Sequence, residues 1–173
     1  MNNKRSEPLI PVTVLTGFLG SGKTTILSRI LRQPIFTNTA VIVNEFGEVG
    51  LDHLLVESSD ENIVDLSCGC ICCTIRGDLM ATLIDLYDRR EAGEIGRFER
   101  VVVETTGLAD PAPIIQTMMQ EPLVFKHYRL ARMVTAVDAV NAMTTFDRQP
   151  EAIKQAAVAD ALLVTKTDMA NEK

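Results

Sequence analysis

Short runs of apolar, largely β-branched residues at 10–16, 40–44, 100–104, 131–137 and 161–165 alternate with stretches whose apolar residues recur every three or four positions. Runs of that kind suit strands buried on both faces, and the alternation predicts an α/β fold: a mostly parallel sheet with helices on both faces. The helix expected over 75–92 presents Ile75, Leu79, Met80, Leu83, Leu86 and Tyr87 as one buried stripe. Another helix is expected to start at Pro111 and Pro113, after a loop over 105–110, because first-turn N–H groups have no helical partner to lose. Between the second and third runs lies an insertion, 51–74. Within it 54–57 and 62–66 flank the polar Ser58-Ser59-Asp60-Glu61 and predict a small hairpin. The 173 residues suit one domain, 1–173, without internal repeats or low-complexity tracts. Because the chain stops five residues after Asp168, the domain is expected to be incomplete at its C-terminal end.

Directly behind the first run stands Gly17-Phe18-Leu19-Gly20-Ser21-Gly22-Lys23-Thr24, which fits the phosphate-loop pattern G-x-x-x-x-G-K-S/T without a mismatch. A buried strand ends here, the backbone turns so that successive N–H groups face inward, and a helix begins with its positive end toward an anion. Gly17, Gly20 and Gly22 permit the turn. Lys23 is expected to reach the β- and γ-phosphates and Thr24 to place its hydroxyl on magnesium. Ser21 and Thr25 complete the loop's expected contacts with a nucleoside triphosphate.

The last run ends in Thr165-Lys166-Thr167-Asp168, close to the guanine-reading motif N/T-K-x-D. Asp168 can accept from guanine N1–H and the exocyclic amine together, a fork adenine lacks, while the Lys166 stem packs over the base. GTP is therefore favoured over ATP. The third run delivers Glu104-Thr105-Thr106-Gly107 to the same sheet edge, where open α/β sheets bind ligands. Glu104 takes the place of a magnesium-side aspartate. Gly107 lets its backbone approach the γ-phosphate, which makes 105–111 the natural switch. Asp138, at the end of the fourth run, is expected to cap the helix that follows. No residue presents itself as a base for the attacking water, so hydrolysis is expected to be slow.

A net charge of −6 argues against sequence-independent nucleic-acid binding, and no nucleic-acid partner is expected. The apolar run after Lys4-Arg5 is short and broken by Pro11, so it does not read as an export signal. No stretch is long enough to span a bilayer, and a cytoplasmic location is expected. In that reducing setting the four cysteines, Cys68, Cys70, Cys72 and Cys73, all within six residues, point to metal or redox chemistry rather than structural disulfides. Three thiolates in C-x-C-C order can wrap zinc or another borderline cation if a fourth ligand arrives. Glu45, which follows the second run at the phosphate-loop edge, is one candidate; Cys68 and His53 are others. A redox pair of Cys72 and Cys73 would be strained, and inert packing is the remaining reading. His53 and His127, the only histidines, are assigned no catalytic role.

The phosphate loop, Asn44-Glu45-Phe46-Gly47-Glu48, Gly69-Cys70-Ile71-Cys72-Cys73, the segment from Glu104-Thr105-Thr106-Gly107 to Pro111, and Thr165-Lys166-Thr167-Asp168 together resemble the CobW-type metallochaperone GTPases. The Gly-Cys-Ile-Cys-Cys element separates that group from its maturation cousins UreG and HypB. The resemblance implies a P-loop NTPase fold of the SIMIBI GTPase type, with the cysteine cluster carried on an inserted hairpin. It implies GTP and Mg2+ as ligands, and zinc, or in some branches cobalt, held by Glu45, Cys70, Cys72 and Cys73. Delivery to a client metalloprotein in the cytoplasm is implied as well, and a homodimer is compatible with it. Cys68 is additional to the family motif, and the family's usual further domain is not expected within these 173 residues.

Overall fold

The computed structural model describes residues 8–44, 63–65, 71–75 and 78–170. In chain order the strands are β1 (Ile10–Thr16), β2 (Thr39–Asn44), β3 (Ile63–Asp65), β4 (Ile71–Ile75), β5 (Arg100–Thr105), β6 (Tyr128–Asp138) and β7 (Ala161–Thr165). The helices are α1 (Lys23–Leu31), α2 (Leu79–Ala92), α3 (Ala112–Gln120), α4 (Pro122–Phe125), α5 (Ala142–Arg148) and α6 (Pro150–Ala157). One sheet holds all seven strands in the order β3-β4-β2-β5-β1-β6-β7. Every neighbouring pair is parallel except β3 with β4.

The period of two along each central strand decides which layer a residue joins. Val12, Val14, Ala40, Ile42, Val101 and Val103 pack with Leu83 and Leu86 of α2 and with Ile114 and Met118 of α3. Their alternates Leu15, Val41, Val43 and Val102 pack with Leu27 and Leu31 of α1 on the opposite face. Burying each such side chain contributes about 1.5–3 kcal/mol, so the doubly covered strands β2, β5 and β1 form a rigid base for the loops at their C-terminal ends.

Three sequence expectations need correcting. The helix expected over 75–92 starts at Leu79: Ile75 lies in β4, opposite Asn44 of β2, and the Asp78 carboxylate caps α2 by accepting the Met80 N–H at 2.9 Å. Gly93, at φ 75, ends that helix in the left-handed conformation. Residues 71–75 are not insertion but a strand inside the parallel array, paired along its length with β2. Among the described residues 63–65 pairs antiparallel with this β4, and the other arm of the expected hairpin, 54–57, lies outside them. Finally, β7 reads as a buried strand, but Leu162, Leu163 and Val164 are exposed, because β7 is the sheet edge and no described element covers it.

At the start of β6 the Tyr128 hydroxyl donates to the Leu83 carbonyl at 2.9 Å, tying strand to helix. His127 stacks on Tyr87 with ring centroids 3.7 Å apart, and burial, with Lys126 nearby, lowers its pKa. Packing accounts for this histidine. No helix among the described residues is long and apolar enough to cross a membrane.

Candidate nucleotide and metal site

The C-terminal ends of β1, β5, β6 and β7 bring the expected nucleotide residues to one edge of the sheet. Between β1 and α1 the phosphate loop turns through Gly17, Gly20 and Gly22, at φ 140, 73 and 88. At Gly17 sterics add to conformation: a Cβ there would stand 2.4 Å from the Ala136 carbonyl oxygen on β6. Gly22 sits left-handed immediately before α1, so that the helix N-terminus opens toward the loop. The Lys23 ammonium curls back to donate to the carbonyls of Gly17 at 2.9 Å and Phe18 at 3.3 Å. Thr25 is exposed in the first turn of α1, and Ser21 is buried in the loop.

Thr24 and Glu104, eighty positions apart, meet directly: the Thr24 hydroxyl donates to Glu104 Oε1 at 2.7 Å. Glu104 is 1 % exposed, at the end of a strand buried on both sides. A hydroxyl and a carboxylate converging beside the lysine of a phosphate loop are the oxygen donors that Mg2+ takes together with substrate phosphates. This donor set fits magnesium, which would be held by Thr24 and Glu104. Beside them the Thr105 hydroxyl donates to that of Thr16 at 2.9 Å, locking the ends of β5 and β1 together. The following loop passes so close to the phosphate loop that a Cβ on Gly107 would lie 2.5 Å from Leu19 N.

On the other side, the end of β7 is tied to the phosphate loop. The Thr165 hydroxyl donates to the Ser21 carbonyl at 2.8 Å and to that of Val137 at 3.2 Å. Lys166 adopts a left-handed φ of 55 and donates from Nζ to Asp138 Oδ2 at 2.7 Å. Asp168 is exposed in the turn that follows. The helix cap expected of Asp138 is not made, because α5 starts only at Ala142 and its N-cap, Asn141, has no side-chain capping bond. Asp138 instead closes a turn onto the Val140 N–H at 2.9 Å, accepts from the Asn141 amide at 3.0 Å and holds Lys166.

Burial alone would raise the Asp138 pKa, but the Lys166 ammonium, the Asn141 amide and the Val140 N–H together hold it down to about 2. A carboxyl whose folded pKa is depressed stabilises the fold above its unfolded value and loses that contribution as pH falls toward the folded one. Between about pH 4 and 2 this pair should therefore cost the protein on the order of 1–2 kcal/mol, discounted because the Lys166 end is partly solvated. Asp138→Asn should flatten that segment of the stability curve, read as urea midpoints from pH 2 to 6. Parallel curves for variant and parent would contradict the assignment.

Two side chains that sequence reasoning passed over also shape this edge. Thr135 on β6 donates to the Gln155 carbonyl at 2.7 Å, and the Gln155 amide reaches the loop after β5. At the opposite end of β7, Asp160 accepts the Met133 N–H at 2.7 Å. Gln155 left one trace in the sequence: it lies three residues after Ala152 on the buried stripe of α6, a polar residue at an apolar position. A cavity of about 330 Å3 opens between Phe18–Ser21, the end of β6 and helices α5 and α6, beside the phosphate loop rather than within it.

Of the expected metal ligands, Cys72 and Cys73 lie in β4, opposite Val41 and Ile42 of β2. Glu45, Cys68, Cys70 and the alternative His53 lie outside the described residues. The strand that carries Cys72 and Cys73 thus borders β2, which borders β5 and Glu104.

A doubly covered parallel sheet with a phosphate loop, an apposed Thr24–Glu104 pair and a lysine-bearing turn after β7 defines a phosphate-loop nucleotide-binding domain. The sequence profile of the CobW/HypB/UreG nucleotide-binding domain matches residues 11–173, and the chain belongs to this family. It is 45% identical over 163 residues to the zinc chaperone YjiA of Escherichia coli K12, covering 94% of this chain and 51% of the relative. It is 36% identical over 167 residues to the zinc-regulated GTPase metalloprotein activator 1 of Schizosaccharomyces pombe, covering 92% of this chain and 39% of the relative. The crystal structure of the Zn(II)-bound YjiA GTPase from E. coli superposes with a TM-score of 0.79 at 42% identity, over 95% of this chain and 52% of that one. The chain spans about half the length of these relatives, or less.

Proposed function

We propose that this chain is the GTP-binding and GTP-hydrolysing part of a metallochaperone that binds zinc, or cobalt, at Cys70, Cys72, Cys73 and Glu45 and passes it to a client protein in the cytoplasm. The observation that carries this reading is the shared sheet: β4, with Cys72 and Cys73, pairs with β2, while the phosphate loop and Glu104 end strands of the same array. Relatives named for zinc chaperoning and for zinc-regulated GTPase activity support it.

In this reading the loop amides and Lys23 hold the phosphates, and Gly17, Gly20, Ser21, Gly22, Thr24 and Thr25 surround them. Mg2+, when bound, neutralises charge on the β- and γ-phosphate oxygens. Thr165, Lys166 and Asp168 read the guanine, and Gly107 marks the loop that meets the γ-phosphate. Metal at the cysteines of β4 and nucleotide at the ends of β1 and β5 act on one sheet, so the grip on metal and on nucleotide is coupled, and linkage makes that coupling reciprocal. Loss of the γ-phosphate relaxes the loop after β5 and loosens the metal for transfer.

Lys23→Ala should lower single-turnover GTP hydrolysis by about a hundred-fold or more, because the charge nearest the transferred group is gone. Zinc binding without nucleotide should stay within about two-fold, since RT ln 2 is small beside a thiolate ligand's contribution. Hydrolysis at the parent rate would sink the assignment of the phosphate loop.

A further inference from the structure

We propose that Gln155 is a positioning residue for the loop that meets the γ-phosphate, an inference that rests on the GTP reading above and adds a control element in α6. The side chain is 0 % exposed, and its Nε2 donates to the carbonyls of Gly107 at 3.2 Å and Ala109 at 2.9 Å. Both partners are acceptors, so only the NH2 end of the amide can face them and its orientation follows from chemistry. That orientation leaves Oε1 buried without a hydrogen-bond partner among the described residues. An amide placed only for its own satisfaction would not be left so.

The opposite side of the loop rests on the phosphate loop, where Gly107 abuts Leu19. The loop is therefore gripped between the backbone that cradles phosphates and a buried donor from α6. Its far end is held by the same helix, since Lys154 Nζ pairs with Asp110 Oδ2 at 2.9 Å. In a trans peptide the N–H lies opposite the C=O, so pinning the Gly107 and Ala109 carbonyls toward α6 turns the Leu108 and Asp110 N–H groups away from it. The clamp is anchored to the sheet through the Thr135 hydroxyl, which donates to the Gln155 carbonyl at 2.7 Å. Gln155 thus fixes the peptide planes that follow Gly107, the residue that approaches the γ-phosphate, without touching the nucleotide.

Gln155→Met keeps the volume and removes both donors, whereas Gln155→Glu keeps the shape and sets a carboxylate against two carbonyls. Binding of fluorescent GTP and GDP, with single-turnover hydrolysis, separates the roles. In both variants the GTP-to-GDP affinity ratio should fall about ten-fold and the hydrolysis rate about ten- to a hundred-fold, the range seen when a group that orients catalytic parts is lost. GDP affinity should stay within about two-fold, as GDP has no γ-phosphate to meet the loop, and it doubles as the check that the variant is folded. A folded Gln155→Met with parental ratio and rate overturns the proposal, as does an equal fall in GTP and GDP affinity. If neither variant folds, Lys154→Ala decides: a two- to three-fold fall in the ratio supports the clamp and an unchanged ratio overturns it. A parent protein that neither distinguishes GTP from GDP nor hydrolyses GTP would instead defeat the underlying reading, whatever Gln155 does.

Discussion

Asp168→Asn should weaken GTP binding by on the order of a thousand-fold or more and make xanthosine triphosphate the better ligand, because a site built to accept a two-donor fork rejects it once one acceptor is replaced by a donor. In the proposed reading the carboxylate would accept from both N1–H and the exocyclic amine of guanine. Asparagine supplies one acceptor and one donor, which suits a base bearing a carbonyl at that carbon. The turn that carries Asp168 is held firmly in place, as Thr165 bonds the phosphate loop at Ser21 and Lys166 is paired with Asp138. The turn proposed to read the base and the phosphate loop are thereby placed relative to one another by side-chain bonds. Competition of GTP, xanthosine triphosphate and ATP for the parent and the variant reads the outcome. A variant that keeps GTP preference would mean that the guanine is read elsewhere.

Cys73→Ser should lower zinc affinity by at least about a hundred-fold, since losing even an outer partner of a metal ligand costs about 10–100-fold. A hydroxyl stays protonated at neutral pH where a thiol next to zinc gives up its proton. For the same reason the parent's zinc affinity should fall as pH drops below neutral, with protons competing for each thiolate. The measurement is competition against a chromophoric chelator under reducing conditions, with Cys72→Ser alongside. Unchanged zinc affinity in both variants would move the metal away from β4. Loss of a thiol-dependent redox activity in a protein indifferent to zinc would favour the oxidoreductase reading instead.

The fold is legible wherever one physical signal dominates. Runs of valine and isoleucine mark β1, β2 and β5 to within a residue at each end, because strands buried on both faces have no room for polar side chains. β6 begins three residues before its apolar run, since Arg129, at an exposed position, breaks the pattern there. β4 is hidden for a different reason. Ile71-Cys72-Cys73-Thr74-Ile75 is a good strand sequence if cysteine is counted as a small hydrophobe, but clustered thiols look first like ligands on a loop.

Among the site residues, Lys23, Thr24, Glu104 and Thr165 sit within fixed-offset motifs and can be named from spacing alone. The Thr24–Glu104 contact, the Asp138–Lys166 pair and the Gln155 clamp depend on how β5, β6 and α6 pack, and no local pattern encodes which strand ends become neighbours. Asp138 shows the limit well. A strand-end aspartate before a helix looks like a cap, and only the parallel pairing of β6 with β7 reveals that it faces Lys166 instead.

The coupling between thiol-bound metal and triphosphate is best tested by zinc affinity of the reduced protein in three states: with a slowly hydrolysed GTP analogue, with GDP and without nucleotide. We expect zinc to bind tightest with the analogue, at least about five-fold tighter than with GDP, and zinc to strengthen binding of the analogue by the same factor. Equal zinc affinity in all three states would contradict the account.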